Sequence, residues 1–167
     1  AQVGLSIDGR NGDAGNTRGR FDANRDWVTL ALGIEQAFRV ERLLDPELSE
    51  GASLVHEFVF SGRAQLAFGN RLIPNYEQVA GGLFTVRGYH EAVVAGDSAF
   101  IGSAEYRFHL PRSFSPDPQP ADFLGAPFRF SPQYKYGPVD WDLIFKAFVD
   151  VGITENSHRE SFERNNT

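Results

Sequence analysis

Long runs in which apolar and polar residues alternate constrain the fold of this chain more than any other feature. The clearest run covers residues 53–68, and similar runs cover 27–40, 98–110 and 139–154. Successive side chains of a β-strand point to opposite faces of a sheet, so a period of two is typical of strands. A shorter alternating run covers residues 3–7. The sequence therefore predicts an all-β protein with about five main strands in an antiparallel sheet.

The lengths of these runs distinguish between classes of β-protein. The run over 53–68 spans sixteen residues, whereas a strand of a globular protein has about five to six. A tilted strand that crosses an outer membrane needs about nine to eleven residues within the bilayer and continues beyond it. The lengths favour a transmembrane β-barrel. A soluble β-sandwich with one wet face has the same alternation, and a helix over residues 30–44 is a further local alternative.

A glycine-rich loop, residues 69–97, separates two of the predicted strands and is too long for a plain turn. Its centre reads Gly81-Gly82-Leu83-Phe84-Thr85-Val86-Arg87-Gly88-Tyr89, and it closes at Gly96-Asp97. Glycine adopts backbone conformations that are closed to other residues. Gly88 therefore lets the chain present Arg87 on a sharp bend. Apolar residues around one glycine-flanked cation indicate a loop that packs inside a larger structure.

Two strand segments carry acidic residues on their polar faces. The first reads Gly102-Ser103-Ala104-Glu105-Tyr106-Arg107, and the second reads Phe148-Val149-Asp150-Val151-Gly152. Strand parity puts Glu105 and Asp150 on the polar sides of their strands. The same parity predicts that a set of large apolar side chains shares the opposite face: Leu54, Phe58, Phe60, Leu66, Phe100, Tyr106, Phe108, Trp141, Leu143 and Phe145.

The loop, with Pro-x-Tyr-Glu-Gln before it and Gly-Asp after it, resembles the lumen-inserted loop of one outer-membrane superfamily. That superfamily contains the two-partner secretion transporters (haemolysin activation/secretion proteins) and the barrel-assembly insertases. The Glu105 strand and the Phe-x-Asp-x-Gly strand, with Phe148 and Gly152, are also similar to strands of that superfamily. The resemblance implies a 16-stranded barrel in the bacterial outer membrane, preceded by periplasmic POTRA modules. Residues 1–167 would then be an incomplete, curved, about five-stranded sheet from its C-terminal part.

The resemblance also implies a function and a site. Loop 69–97 would fold into the lumen, where Arg87 would meet Glu105 and Asp150 and lock the loop in one position. A barrel of the two-partner secretion type would pass an unfolded, secreted partner polypeptide through its pore, with lipid of the outer membrane around it. Closer likeness to haemolysin activators lies in residues 24–27 and 72–78. An insertase remains an alternative because it shares the loop motif; the number of POTRA modules would discriminate.

Composition excludes several other functions. The net charge is −6 and the pI about 5.2, so a nucleic-acid partner, which needs a basic face, is not expected. The chain has no cysteine, and its four histidines show no metal-ligand spacing. No phosphate loop, zinc motif or nucleophile elbow occurs. A neighbouring arginine would keep Glu105 and Asp150 ionised, which is unsuitable for a general acid. We expect no catalytic residue, no cofactor and no metal.

The segment 111–138 departs from the pattern of the superfamily, in which the corresponding periplasmic turn is shorter. It contains most of the nine prolines of the chain. Proline cannot donate to a strand ladder and is rare inside sheets. The sequence therefore predicts a long connection without regular strands.

Overall fold

The computed structural model describes residues 2–8, 19–20, 22–48 and 52–160, with the backbone alone for 2–8. Short 3₁₀ turns lie at Pro74–Tyr76 and Leu110–Ser113. One short helix, α1 (Val40–Leu44), is present. Within the described ranges no helix is long and apolar enough to cross a membrane. The strands are β1 (Gln2–Asp8), β2 (Trp27–Arg39), β3 (His56–Leu66), β4 (Gln78–Ala80), β5 (Val94–Gly96), β6 (Ser98–His109), β7 (Ala121–Phe123), β8 (Ala126–Phe128) and β9 (Ile144–Glu155).

The strands form three sheets, and the protein is all-β with almost no helix, as the sequence predicts. The main sheet has five strands in the order β1-β2-β3-β6-β9. β1 pairs antiparallel with β2, with Leu5 opposite Leu30. Two small antiparallel sheets, β4-β5 and β7-β8, lie in the connections between the long strands. In the part of the chain that the structure describes, no sheet closes, and β1 and β9 stand at the two ends of the order.

The chain divides into two compact units, to which β2, β3, β6 and β9 each contribute one part. The first unit comprises Ala1–Glu35, Phe60–Ser103 and Asp150–Thr167, and the second comprises Gln36–Val59 and Ala104–Val149. The first unit contains two small apolar clusters. Trp27, Ala67 and Leu72 form one; Ala80, Val86 and Ile101 form the other.

Many apolar side chains of the long strands are exposed and several polar ones are buried, unlike the usual pattern of a soluble protein. Trp27 of β2 and Ile101 of β6 are buried, and Ser61 and Arg63 of β3 are exposed. On β3, Phe58, Phe60 and Leu66 are exposed, while Glu57 and Gln65, of opposite parity, are buried. Other exposed apolar side chains of the main sheet are Val28, Leu32, Ile34, Phe38, Phe100, Ile144, Phe145, Phe148, Val149, Val151 and Ile153, so β9 exposes apolar residues of both parities; other buried polar ones are Thr29 and His109.

Most members of the predicted apolar face are exposed, but Leu54 is not. Leu54 is 2% exposed because it precedes β3, where strand parity no longer applies, and its carbonyl accepts a hydrogen bond from Arg112. Trp141 is only partly exposed. It precedes β9, packs against Phe114 with tilted rings whose centroids lie 6.2 Å apart, and donates from Nε1 to the Phe130 carbonyl at 2.9 Å. Tyr106 and Phe108 are also partly buried.

The structure differs from the predicted elements in several places; β3, for example, is shorter at both ends than the run over 53–68. The last strand begins at Ile144 instead of residue 139, and α1 replaces the start of a predicted connection. The segment 111–138 contains the hairpin β7-β8, where no strand was expected. Leu124 and Gly125 both have positive φ, 55° and 79°, as a two-residue hairpin turn requires. Strands of three residues are too short to show a period, which is why the prediction missed them.

Candidate loop-locking site

The loop 69–97 makes its sharp turns at glycine residues, as the sequence predicts. β4 and β5 pair inside it, with Val79 opposite Ala95. Gly81 and Gly82 have φ of 111° and 97°, which side chains rarely tolerate. A Cβ on Gly81 would collide with the His90 carbonyl. The two glycines therefore let the chain turn sharply after β4.

Arg87, at the centre of the loop, is bound to Asp150 of β9 by three hydrogen bonds. Its backbone N–H donates to Oδ2 at 2.9 Å, Nε donates to Oδ2 at 2.8 Å, and Nη2 donates to Oδ1 at 2.7 Å. Such a fork of parallel donors fixes a carboxylate in both position and orientation. The predicted contact between Arg87 and Asp150 is therefore present.

Ser103 of β6 completes the site, although the sequence did not single it out. Arg87 Nη2 donates to Ser103 Oγ at 2.8 Å. The Asp150 side chain is 2% exposed and the Arg87 side chain 21% exposed. An ionised carboxylate withdrawn this far from water needs a charged or multiply donating partner. The arginine supplies both, and Ser103 accepts from the same Nη2 that donates to Asp150.

Gly152 explains how the loop can approach β9 so closely. A Cβ on Gly152 would lie 2.7 Å from Val86 Cγ2 and 3.1 Å from Ala80 Cβ. Val86 is buried beside Ala80 and Ile101. The glycine of the Phe-x-Asp-x-Gly segment therefore leaves the space that the residue before Arg87 fills. This packing fixes the loop next to the ion pair.

The remaining predicted residues lie elsewhere. Gly88 has φ of 91°, as a sharp bend requires, and Tyr89 is exposed. Phe148 is also exposed, with the strand parity of Asp150 and Gly152. Glu105 belongs to the second unit, where it accepts from Arg107 Nε at 2.6 Å and lies 3.6 Å from Lys146 Nζ. Its predicted contact with Arg87 stays a prediction.

A second buried ion cluster in the first unit, centred on Asp97, was not predicted. Asp97 Oδ1 accepts from Arg20 Nη1 at 2.5 Å and from the Leu72 N–H at 2.7 Å. Asp97 Oδ2 accepts from the Ser157 N–H at 2.8 Å. Arg20 also pairs with Glu77. Asp97 thus ties both ends of the loop to the segment after β9.

Arg71 adds to this cluster from the beginning of the loop. Its side chain is buried and donates to the carbonyls of Ser157 and His158 at 3.4 and 3.2 Å. Its backbone N–H donates to Asn24 Oδ1 at 2.6 Å, and the Asn24 N–H donates to the Arg71 carbonyl at 2.8 Å. The only sequence signal for the cluster was the Gly-Asp pair that closes the loop motif.

The second unit holds a chain of charges around Glu57. Arg39 and Arg107 lie 3.1 and 3.4 Å from its two oxygens. His109 Nδ1 lies 2.7 Å from Asp142 Oδ2, and its Nε2 lies 3.2 Å from Arg39 Nη1. Arginine only donates, so Nε2 accepts and the hydrogen is assigned to Nδ1. Among the described residues, no group of three histidines or carboxylates could hold a metal ion.

Comparison with models of protein families, with curated proteins and with solved structures finds no match for this chain. A functional proposal therefore depends on the residues and geometry described above.

Proposed function

We propose that this chain forms part of an outer-membrane β-barrel of the two-partner secretion type, which passes an unfolded partner polypeptide through its pore. Loop 69–97 would lie in the lumen. The observation that supports this proposal most is the fork of hydrogen bonds from Arg87 to Asp150. The protein would lie in the bacterial outer membrane with lipid around the barrel. POTRA modules of the same protein would be its partners in the periplasm.

The exposed apolar side chains of the long strands support a membrane environment. Apolar residues on the outside of a barrel contact lipid, and the polar residues of opposite parity face the lumen. The exposed Phe58 and Phe60 and the buried Glu57 of β3 follow this alternation. The lengths of β2, β3, β6 and β9, which are 13, 11, 12 and 12 residues, suit tilted membrane strands.

The buried ion pair supports a role in holding the loop and not in catalysis. Removing one partner of a buried pair leaves an unpaired charge and typically costs about 3–5 kcal/mol. A loop fastened this way keeps one position until a larger change displaces it. Because Asp150 is already occupied by three donors of Arg87, we propose conformational control of the pore as its function and no enzymatic activity.

Fractionation and conductance of the full-length protein test this proposal. We expect the protein in the outer membrane, soluble only in detergent, and we expect channel openings after reconstitution into a planar bilayer. The Arg87→Ala variant should assemble but show larger or more frequent openings, while Arg63→Ala, which changes an exposed arginine of β3, should resemble the wild type. Recovery in the soluble fraction without detergent would contradict the proposal and favour a soluble β-sandwich.

A further inference from the structure

The hairpin β7-β8, in the second unit, has one face made only of apolar residues. Phe123 lies opposite Ala126 in the register of the hairpin, and Ala121 lies opposite Phe128. Residues that oppose each other in an antiparallel pair share a face, and so do residues two apart on one strand. These four residues therefore form one side, the hairpin face. Asp122 lies on the other side.

The hairpin face is largely exposed. Phe123 is 50% exposed, and Ala121 and Ala126 are exposed as well. Phe123 and Phe128 contact each other and the following Phe130, with ring centroids between 4.6 and 5.9 Å apart. A two-stranded hairpin alone is marginally stable in water. A surface that covers these aromatic rings would therefore stabilise it.

Leu124, at the tip of the hairpin, is costly in two ways. It is 92% exposed, and its φ of 55° is one that a bulky side chain rarely adopts. A turn of this kind favours Asn or Asp before the glycine. Strained backbone persists mainly where it serves a function. The leucine therefore indicates that the tip contacts an apolar environment.

The hairpin is held at the end of the long strands where β6 ends and β9 begins. The Arg129 side chain donates to Asp140 Oδ1 at 2.6 Å, and the Phe130 carbonyl accepts from Trp141 Nε1 at 2.9 Å. Asp140 and Trp141 come shortly before β9. The hairpin thus projects from this end of the sheet.

Aromatic side chains of β3 and β6 are concentrated at the same end. Tyr106 contacts His56 and Phe58 with ring centroids 6.0 and 5.1 Å apart. Phe108 contacts His56 at 5.5 Å. Girdles of aromatic residues mark the membrane–water interfaces of outer-membrane barrels. In the proposed barrel, the hairpin would therefore lie at the level of the lipid headgroups.

The size of the hairpin face favours lipid over a protein partner. A stable protein interface involves about 20–30 residues on each side, whereas the hairpin consists of two strands of three residues and their turn. Lipid sets no such minimum area. Phe and Leu are among the residues with which amphipathic elements enter the boundary between headgroups and acyl chains.

We propose that the hairpin β7-β8 is a membrane anchor. The hairpin face and Leu124 insert into the boundary between headgroups and acyl chains, and Asp122 stays on the side of the water. The anchor holds the adjacent ends of β6 and β9 at one depth in the bilayer. The inference rests on the proposed function for the barrel that carries the hairpin.

Nitroxide labels measure the depth of the hairpin in the full-length protein, reconstituted into vesicles of phosphatidylethanolamine and phosphatidylglycerol. Residues 1–167 contain no cysteine, so Leu124→Cys gives one label in this chain, and cysteines elsewhere are replaced by serine. Oxygen concentrates in the bilayer, whereas a nickel chelate stays in water. Relative to Gln119→Cys, an exposed position before β7, we expect loss of nickel collisions and a depth of about 5–10 Å.

A label at Phe145→Cys distinguishes failure of the anchor from failure of the barrel. Phe145 is 55% exposed on β9 and belongs to the predicted lipid face. Lipid at residue 145 with water at residue 124 would overturn the anchor alone. Water at 145 with lipid at 124 would contradict the barrel and support the anchor. Exclusion of both reagents from residue 124 would mean that protein covers it and would overturn the proposal; dipolar broadening would identify a second copy.

Leu124→Asn tests the contribution of the tip. Asn adopts positive φ more readily than Leu, so the turn is kept while the apolar side chain is removed. With the label at Ala126→Cys, we expect this substitution to restore collisions with the nickel chelate. Leu44→Asn, at an 81% exposed leucine of α1, should leave the label unchanged. Equal effects of the two substitutions, or no effect of Leu124→Asn, would overturn the proposal.

Discussion

At the scale of single residues, the contact between Arg87 and Asp150 could be predicted, while its surroundings could not. The pairing followed from the glycine-flanked arginine, the parity of Asp150 and the resemblance of both segments to one superfamily. Ser103 and the pair of Arg20 and Asp97 were missed because no motif marks these residues as partners. No local period reports such contacts. The alternation of the long strands shows only which side chains share a face of the sheet, not which residues contact them.

Gly152 provides a residue-scale prediction of how tightly the loop packs. Gly152→Ala should destabilise the folded protein by about 1–3 kcal/mol, because the added methyl group overpacks a filled space. The measurement is urea unfolding in detergent, followed by tryptophan fluorescence. Gly62→Ala is the matched control on β3, since a Cβ there would lie 3.5 Å from Ile34 Cγ2, an ordinary contact. Equal losses of stability in both variants would contradict close packing of the loop on Gly152.

At the scale of elements, alternation located the long strands but not their ends. β2, β3 and β6 lie inside their predicted runs. β9 starts five residues late because residues 139–143 serve other contacts: Asp140 binds Arg129, and Trp141 packs on Phe114. Alternating polarity in these residues mimics a strand. A hydrophobic period therefore predicts an element's existence better than its boundary.

The link between Arg129 and Asp140 gives an element-scale prediction about pH. Hydrogen bonds from the Arg129 side chain and backbone lower the pKa of Asp140 below its ordinary value. A lowered pKa means that the stabilising contact is fully present above the ordinary aspartate pKa and is lost as the pH falls through the lowered one. We expect a ¹³C carboxyl titration to place the midpoint of Asp140 below the ordinary range of aspartate. Arg129→Gln should raise that midpoint, and an unchanged midpoint in this variant would refute the link.

At the scale of the whole molecule, all-β architecture followed from alternation, and the proposed membrane location rests on the exposed apolar side chains of the long strands. The predicted barrel closure, curvature and missing strands stay predictions: among the described residues the main sheet has five strands and does not close. The exposed apolar faces could be predicted from parity within strands. Leu54 and Trp141, which lie outside strands, departed from the prediction, as did Tyr106 and Phe108 of β6, which are partly buried.

Placing a charge on one or the other face of β3 tests the proposal that lipid covers one of these faces. Phe60→Lys should destabilise the folded protein in a bilayer by about 2–4 kcal/mol if residue 60 lies near the midplane, because lipid solvates an ammonium poorly. Ser61→Lys, on the opposite face of the same strand, should be tolerated. The folded fraction can be followed by heat-modifiable migration in gels. An equal effect of the two substitutions would argue against lipid on the face of Phe60.

Hydrogen exchange of the Arg87 amide tests the loop lock most directly, because this N–H itself donates to Asp150 Oδ2. We predict that Asp150→Asn, which keeps the shape of the side chain but removes its charge, speeds exchange of this amide about ten- to a hundredfold. A hydrogen bond to a charged group contributes about 1.5–3 kcal/mol, which corresponds to that range. Asp122→Asn, on the exposed strand β7, should leave the rate unchanged. An unchanged exchange rate in Asp150→Asn would contradict the claim that this ion pair holds the loop.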